Sequence, residues 1–362
     1  MKKRIRKLLH SPSLFFRDYL NKRYPVVRNE LLCPECEEQI LIKNDLMLES
    51  MLNSEFPIDI VFTWVNNKDP AWIEKYNNAA GIITPSEGNY AKDMSRFSNH
   101  NELYYAIGSV IKNLPWVNQI YIVTDDQRPD WINEFPTVKV VDHKDIIPQK
   151  YLPTFNSHVI EAHLYNIKNL SENFIYFNDD VIVARPLPRG HFFKSNGIAS
   201  LFVSMKNINA MALKGINTPT LSASLRSATL LKKDFHYLVT IPLVHTYVPL
   251  KKSMFTFSWE LYRNEIEAFL PNKFRSNNDL NLATFLVPWI TYLKGQAVQS
   301  RDICYYFNVR SNAARGVYST LAHMKEHNLY PHSICANDFN TNSMALKNYD
   351  LLLKKNLDAL FD

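Results

Sequence analysis

The stretch that most constrains the fold is Phe174-Ile-Tyr-Phe-Asn-Asp-Asp-Val-Ile-Val-Ala-Arg185. Its apolar, β-prone residues deliver Asn178, Asp179 and Asp180 together at one end. In an α/β protein, ligands bind there, in the crevice outside the carboxyl ends of the strands. Adjacent carboxylates repel each other, so they persist mainly where a cation or several donors neutralise them. A metal ion holding a diphosphate would do so. The structural alternative is a solvated turn after a strand.

Two other apolar runs end the same way. Ile58–Val65 is closed by Asn66-Asn67-Lys68-Asp69-Pro70, and Gln119–Thr124 runs into Asp125-Asp126. Asn99-x-x-Glu102 has the capping-box form ahead of the helical pattern Leu103, Ala106, Ile107, Val110, Ile111, Leu114. A short strand at 138–141 and a helix from about 157 to 170 precede the acid-ended strand. Strand, helix, strand, strand, helix, strand predicts an α/β fold: a Rossmann-like, mostly parallel sheet flanked by helices, with right-handed crossovers. The C-terminal part reads as an elaborated helical region, with helices at about 257–269, 279–293 and 345–360. Residues 190–245 give only an apolar segment at 199–203 and a polar run at 205–227. With 8 glycines and neither G-x-G-x-x-G nor a Walker pattern, the common nucleotide cradles are absent. The expected division is a basic lead-in at 1–56, a catalytic domain at 57–340 and a C-terminal helix at 341–362.

The 362 residues are 46% hydrophobic, enough for a large core. No apolar run reaches 18 residues, and the basic start lacks a secretory apolar core. Residues 1–28 hold nine Lys/Arg against Asp18, a net of +8, whereas the remainder has 32 basic and 34 acidic residues, a net of −2. That body gives no basic face for nucleic acid. Ser11-Pro12 reads as an N-cap with proline at the first helical position, opening a helix to about Arg23. Its aromatic and cationic sides suit an anionic membrane surface, each basic group contributing about 1 kcal/mol; a solvated helix packed on the body is the alternative. Cys33-Pro-Glu-Cys36 has zinc-knuckle spacing, but no second pair follows it. Reduced thiols in a reducing compartment are the simpler expectation.

Ile58-Asp-Ile-Val-Phe-Thr-Trp-Val-Asn66 with Asp69 resembles the first conserved region of the Stealth family. Those proteins are hexose-1-phosphate transferases, among them bacterial capsule polymerases and the animal enzyme that tags lysosomal glycoproteins. Arg96-Phe-Ser-Asn-His-Asn-Glu-Leu103, Pro115-Trp-Val117, Ile120–Asp125 and Pro129-Asp-Trp131 resemble the second region, continued by Pro153–Ser157, Glu161, His163 and Asn178-Asp-Asp180. His245 with Pro249, then Phe274–Asp279, resembles a degenerate third region, and Ile334–Asp338 the fourth. Asn67 and Asp126 stand where relatives commonly carry glycine; Asn67 can still take a left-handed turn.

The resemblance implies that an acceptor hydroxyl attacks the sugar-bearing phosphorus of a UDP-sugar, most simply UDP-N-acetylglucosamine, and that UMP leaves. Asp179, Asp180 and Asp338 would hold Mg²⁺ or Mn²⁺. Arg275 would fork onto phosphate oxygens, its alternative being an ion pair with Asp279. His245 is the expected general base, with His158 and His163 as competitors. The donor-binding set is Asp59, Trp64, Asn66, Asp69, Arg96, Asn101 and Glu102. Asp59 and Trp64 face opposite sides of one strand, and Glu102 suits capping the helix or orienting Arg96. The implied partners are an oligosaccharide or lipid-linked glycan acceptor and other capsule-synthesis proteins, at the cytoplasmic face of a bacterial inner membrane. The nearest rival is a metal-dependent glycosyltransferase that moves only the sugar and releases UDP. A rival of another class is a non-catalytic assembly subunit.

Overall fold

The structure, a computed structural model, describes residues 35–81, 97–339 and 346–361, with short pieces at 8–9, 12–13, 15–16 and 27–28. Arg96, Cys33, the side chain of Cys36 and most of the basic segment 1–28 lie outside the described residues. No described helix is long and apolar enough to cross a membrane.

The strands that position the site are β1 (Ile58–Thr63), β2 (Ile120–Thr124), β3 (Val138–Asp142), β4 (Asn173–Asn178), β5 (Val181–Val183), β6 (Val248–Lys251), β7 (Cys304–Asn308) and β8 (Ser333–Asn337). The helices used below are α1 (Glu35–Ser50), α2 (Pro70–Ala80), α3 (Glu102–Asn113), α4 (Ser157–Glu161), α5 (Pro219–Phe235), α6 (Lys252–Leu261), α7 (Ala314–His327) and α8 (Tyr349–Phe361). The main sheet has the order β3-β2-β1-β4-β6, parallel except for β6. The chain lays β1, β2 and β3 outward in one direction, then returns to place β4 on the other side of β1. That reversal makes the β1–β4 boundary a topological switch point, where open α/β sheets bind ligands. Thr63 pairs with Asn178 there, so Trp64 and Asp179 emerge side by side.

Both sheet faces are covered. Ile60, Phe62, Ile122, Ile175 and Phe177 join one core, while Val61, Val123, Phe174 and Tyr176 join the other. The period-two alternation of these apolar strands feeds both cores. Ile42 of α1 and Leu353 and Leu357 of α8 are buried in the first of them.

A second sheet runs β7-β8-β5, with β7 and β8 parallel and β5 antiparallel to β8. β4 and β5 are therefore consecutive strands in different sheets, and Asp179-Asp180 is the turn between them. Ala336 N donates to Asp180 O at 3.0 Å, which brings the end of β8 against that turn.

Several sequence expectations change. The helix expected over 157–170 stops at Glu161 and is followed by a 3₁₀ turn at Leu164–Asn166. His163 Nδ1 bonds back to Val159 O, Asn166 Nδ2 donates to Ile146 O, and Asn169 is left-handed at φ 63, so the helical ladder has no continuation. The capping box at Asn99 does not form: Glu102 is the first helical residue, and its carboxylate accepts from His100 N at 2.7 Å. Ile111, placed on the apolar stripe of α3, is exposed. Asp126 holds a positive φ (55°), the conformation that favours glycine, whereas Asn67 is not left-handed. The helix expected over 257–269 is two helices broken at Tyr262, and the lead-in at 29–56 contains α1.

A buried polar cluster ties α1 to the body. His191 sits between Glu49 (Nδ1, 2.9 Å) and Asp302 (Nε2, 3.1 Å), and Asp302 also accepts from Tyr247 and from Ser333 Oγ at 2.7 Å. Burial alone would lower the pKa of His191, but Glu49 and Asp302 raise it to about 9. Its folded pKa lies above its unfolded one, so its stabilising contribution is complete below about pH 6.5 and is lost as pH rises through about 9. Asp302→Ala leaves a buried imidazolium short of a partner and is expected to cost about 3–5 kcal/mol. Denaturant melts across that pH range check both statements; an Asp302→Ala midpoint equal to wild type at pH 6 would refute them.

Candidate active site

A cleft of about 820 Å³ opens at the switch point, with Trp64, Asp179 and Asp180 on its floor. Burial, then the neighbouring charges of Asp180 and Glu102, push the Asp179 carboxyl well above the ordinary carboxylate range. Asp180 Oδ2 accepts from Asn337 Nδ2 at 3.0 Å and from the Cys335 thiol at 3.4 Å. Its Oδ1 is buried with no hydrogen-bond partner among the described residues. A buried, unpartnered carboxylate oxygen beside a second carboxylate fits an absent cation.

His245 reaches the cleft from the segment before β6. That segment is held by Val244 N donating to Phe202 O at 2.8 Å, Cys304 Sγ donating to His245 O at 3.4 Å, and Thr246 Oγ1 donating to Ser333 Oγ at 2.8 Å. The ring packs on Tyr306, centroids 5.2 Å apart. Ligand atoms of Asp180, His245 and Cys335 all lie within 4.8 Å of one another. His245 is open to the cleft; desolvation by the surrounding protein lowers its pKa against the pull of Asp180, which favours the neutral imidazole.

Arg275 also lines the cleft. Its Nε donates to Ser157 Oγ at 2.9 Å and an Nη to Thr220 Oγ1 at 3.1 Å, while Asp279 is engaged elsewhere. Asp279 accepts from Ser276 N, Asn156 Nδ2 and Asn272 Nδ2 and pairs with His158. The expected alternative, an Arg275–Asp279 ion pair, is absent; Asp279 instead folds the loop that presents Arg275. The amino end of α5 stands beside it, with Thr218 as N-cap (Leu221 N, 3.2 Å) and Pro219 at the first turn. Trp72, Phe97 and Phe155 add an aromatic wall, Trp72 meeting Phe155 edge-on at 5.3 Å.

The remaining sequence candidates divide. Trp64 and Glu102 line the cleft. Glu102 is almost fully buried, and that burial raises its pKa to about 7. Asp338 also lines it, but its carboxylate is already taken: Arg310 donates to both oxygens, and His100 Nε2 lies 2.8 Å from Oδ2. Burial would raise the Asp338 pKa, yet His100 and Arg310 hold it below the ordinary value. This geometry does not suit the ligand role expected of it.

Asp59 lies near the other end of β1, fully buried, accepting from Asn118 Nδ2 at 2.8 Å and Ser171 N at 2.7 Å. Asp69 caps α2 through Trp72 N, 3.0 Å away. Asn66 is clamped by Gln127 through its backbone, and Asn101 accepts from Trp131 Nε1 at 2.8 Å. These four shape the scaffold around the cleft and are not among its lining residues. The competitor bases are also committed: His158 to Asp279, and His163 to Val159 O.

Sequence reasoning missed Thr218, Thr220, His143, Tyr306 and Arg310. Thr218-Pro219 carried the same N-cap–proline signal that Ser11-Pro12 does. Nothing local marks the others as site residues, because elements far apart in sequence bring them to the cleft.

Residues 56–83 match the family description Stealth protein CR1, conserved region 1, and residues 96–201 match Stealth protein CR2, conserved region 2. The capsular polysaccharide phosphotransferase LcbA of Aeromonas hydrophila is 58% identical over 347 residues, covering 96% of this chain and 96% of that protein. LcbA of Neisseria meningitidis is 56% identical over 345 residues, with 94% of each covered. Among solved structures, the glycosyltransferase GlyE of Streptococcus pneumoniae TIGR4 overlaps 85% of this chain and 62% of its own at 10% identity and TM-score 0.37, a likeness too loose to bear weight. The two regions and the near full-length identity place the chain in the Stealth family of capsular polysaccharide phosphotransferases.

Proposed function

We propose that the chain transfers hexosamine-1-phosphate from a UDP-sugar, with UDP-N-acetylglucosamine as the favoured donor, to a hydroxyl of a growing capsular glycan. UMP leaves and a phosphodiester forms. The observation that carries this reading is the shared cleft: Asp179 and Asp180 face the same cavity as His245 and Arg275.

The acceptor oxygen attacks the phosphorus that bears the sugar, and the bond from that phosphorus to the bridging oxygen of UMP breaks. Neutral His245 takes the hydroxyl proton as the new P–O bond forms. Arg275, its fork aimed by Ser157 and Thr220, bonds the phosphoryl oxygens where charge builds. The amino end of α5 adds backbone donors nearby. Trp64 and Trp72 offer faces for the base or sugar. Asp179 and Asp180 would hold Mg²⁺ or Mn²⁺, a hard cation that supplies charge neutralisation of the diphosphate when bound. The nitrogen of His245 and the thiol of Cys335 suit softer metals, which favours the carboxylates as the ligands of a hard ion.

Separation of the nucleotide products from a panel of UDP-sugars tests this. UMP released with UDP-N-acetylglucosamine and a glycan acceptor is the expected result; UDP as the nucleotide product would overturn it. The basic segment 1–28 supports contact with an anionic membrane. Deleting it is expected to abolish sedimentation with phosphatidylserine or phosphatidylglycerol vesicles while sparing turnover on a soluble acceptor; undiminished sedimentation would refute the contact.

A further inference from the structure

A second cavity, of about 290 Å³, is lined in part by the segment that follows α4. Ser157 and Ile160 of α4 line the cleft, whereas His163, two residues past its end, lines the second cavity. The same stretch of chain, residues 157–166, therefore contributes to both. The floor is made by buried Tyr151 and His163, and the sides by half-buried Tyr165 and Trp259. These four rings form a continuous surface: Tyr151 to His163 is 6.4 Å between centroids, His163 to Trp259 5.5 Å, and Tyr165 to Trp259 6.1 Å. Trp259 Nε1 is spent on Ala162 O at 2.9 Å, which fixes the indole.

His163 adds a directed polar atom. With Nδ1 donating to Val159 O at 2.8 Å and burial keeping the ring neutral, Nε2 is an unprotonated acceptor. The residue is only 2% exposed, and it lines the cavity. The exposed rim carries Lys150 and Arg263 against Glu260 and Glu267, a balanced set. That rim offers no grip for a phosphate, so the phosphodiester links of the acceptor stay in solvent. An aromatic floor, one acceptor nitrogen and a rim of mixed donors and acceptors match the sugar rings between those links, which have apolar faces and many hydroxyls.

We propose that this cavity is a glycan-holding subsite that grips a sugar unit of the acceptor chain remote from the reacting end. The inference rests on the reading of the chain as a transferase acting on a polymeric acceptor. A second grip on one chain makes binding at the cleft effectively intramolecular, so long acceptors gain affinity that short ones lack.

The probes are size-fractionated oligosaccharides cut from the capsule of the source strain. Thr256 is exposed on the rim, so Thr256→Arg blocks the mouth without removing a core contact; Tyr165→Ala removes one wall. For wild type, long fragments are expected to show about tenfold lower KM than single repeats, a gain equivalent to about 1.4 kcal/mol. Both variants erase that difference and leave kcat and the donor KM unchanged. Equal KM for long and short fragments, or a length effect that survives Thr256→Arg, overturns the subsite. Calorimetry of the same fragments needs no turnover and decides the matter if the transferase reading itself fails. About tenfold weaker binding of long fragments to Thr256→Arg supports the subsite, and undiminished binding refutes it.

Discussion

Asp179→Asn and Asp180→Asn are each expected to lower turnover by about a thousandfold, on the order of 4 kcal/mol of barrier, while the protein stays folded. Both carboxylates sit at the turn that links the two sheets, yet among the described residues neither contributes an ion pair that would hold it together. Asp180 Oδ1 is unpartnered among the described residues, and Asp179 is disfavoured as an anion by burial and by Asp180 and Glu102. The folded-state pKa of Asp179 is raised, so over the interval above 3.8 the folded chain keeps a proton that the unfolded chain has lost. Stability therefore falls as pH climbs through that interval. Asn at 179 removes the effect, so its melting temperature in metal-free neutral buffer should equal or exceed that of wild type. Added Mg²⁺ or Mn²⁺ should raise the wild-type melting temperature and not that of either variant. Near-normal turnover in either variant would rule out the metal role, and a large drop in melting temperature would mark a structural one.

Arg275→Lys is expected to lose about 10²–10³ in kcat, the range seen when one transition-state donor is removed. A lysine keeps the charge but cannot reproduce the planar fork, and it lacks the geometry to bond Ser157 and Thr220 while facing phosphate. The loss should fall on kcat more than on donor KM, because the contact strengthens as charge builds on phosphorus. Steady-state kinetics with varied donor separate the two. A change confined to KM would make Arg275 a ground-state anchor, and unchanged rates would leave it a scaffold residue for the Ser157–Thr220 junction.

The sheet was legible because its strands are short apolar runs whose ends change abruptly to polar residues; β1, β2, β3 and β4 all fall within a residue or two of the expected spans. Their order in space was not readable residue by residue, yet the reversal after β3 is what brings Trp64 beside Asp179. The cleft was half legible. Asp179, Asp180, His245 and Arg275 meet as expected, through three stretches of chain that no local pattern joins.

Polar residues at the ends of strands and helices are the hardest to assign. Asp59, Asn66, Asp69 and Asn101 all meet backbone, amide or indole partners that the fold places next to them, and a polar residue near a site serves scaffold and substrate equally well in sequence. Asp338 is a different case: Arg310, 28 residues upstream, neutralises it, a pairing with no local signal in the sequence. The helix past Glu161 was overread because its apolar periodicity persists while His163 and Asn166 divert their side chains to backbone carbonyls.

The most direct measurement uses a UDP-sugar carrying radioactive phosphorus only at the sugar-bearing position, incubated with the protein, a divalent cation and a glycan acceptor. If the bond breaks between the two phosphorus atoms, the label moves into the glycan and the released nucleotide is unlabelled UMP. Label retained in released UDP, with an unlabelled extended glycan, would contradict the account.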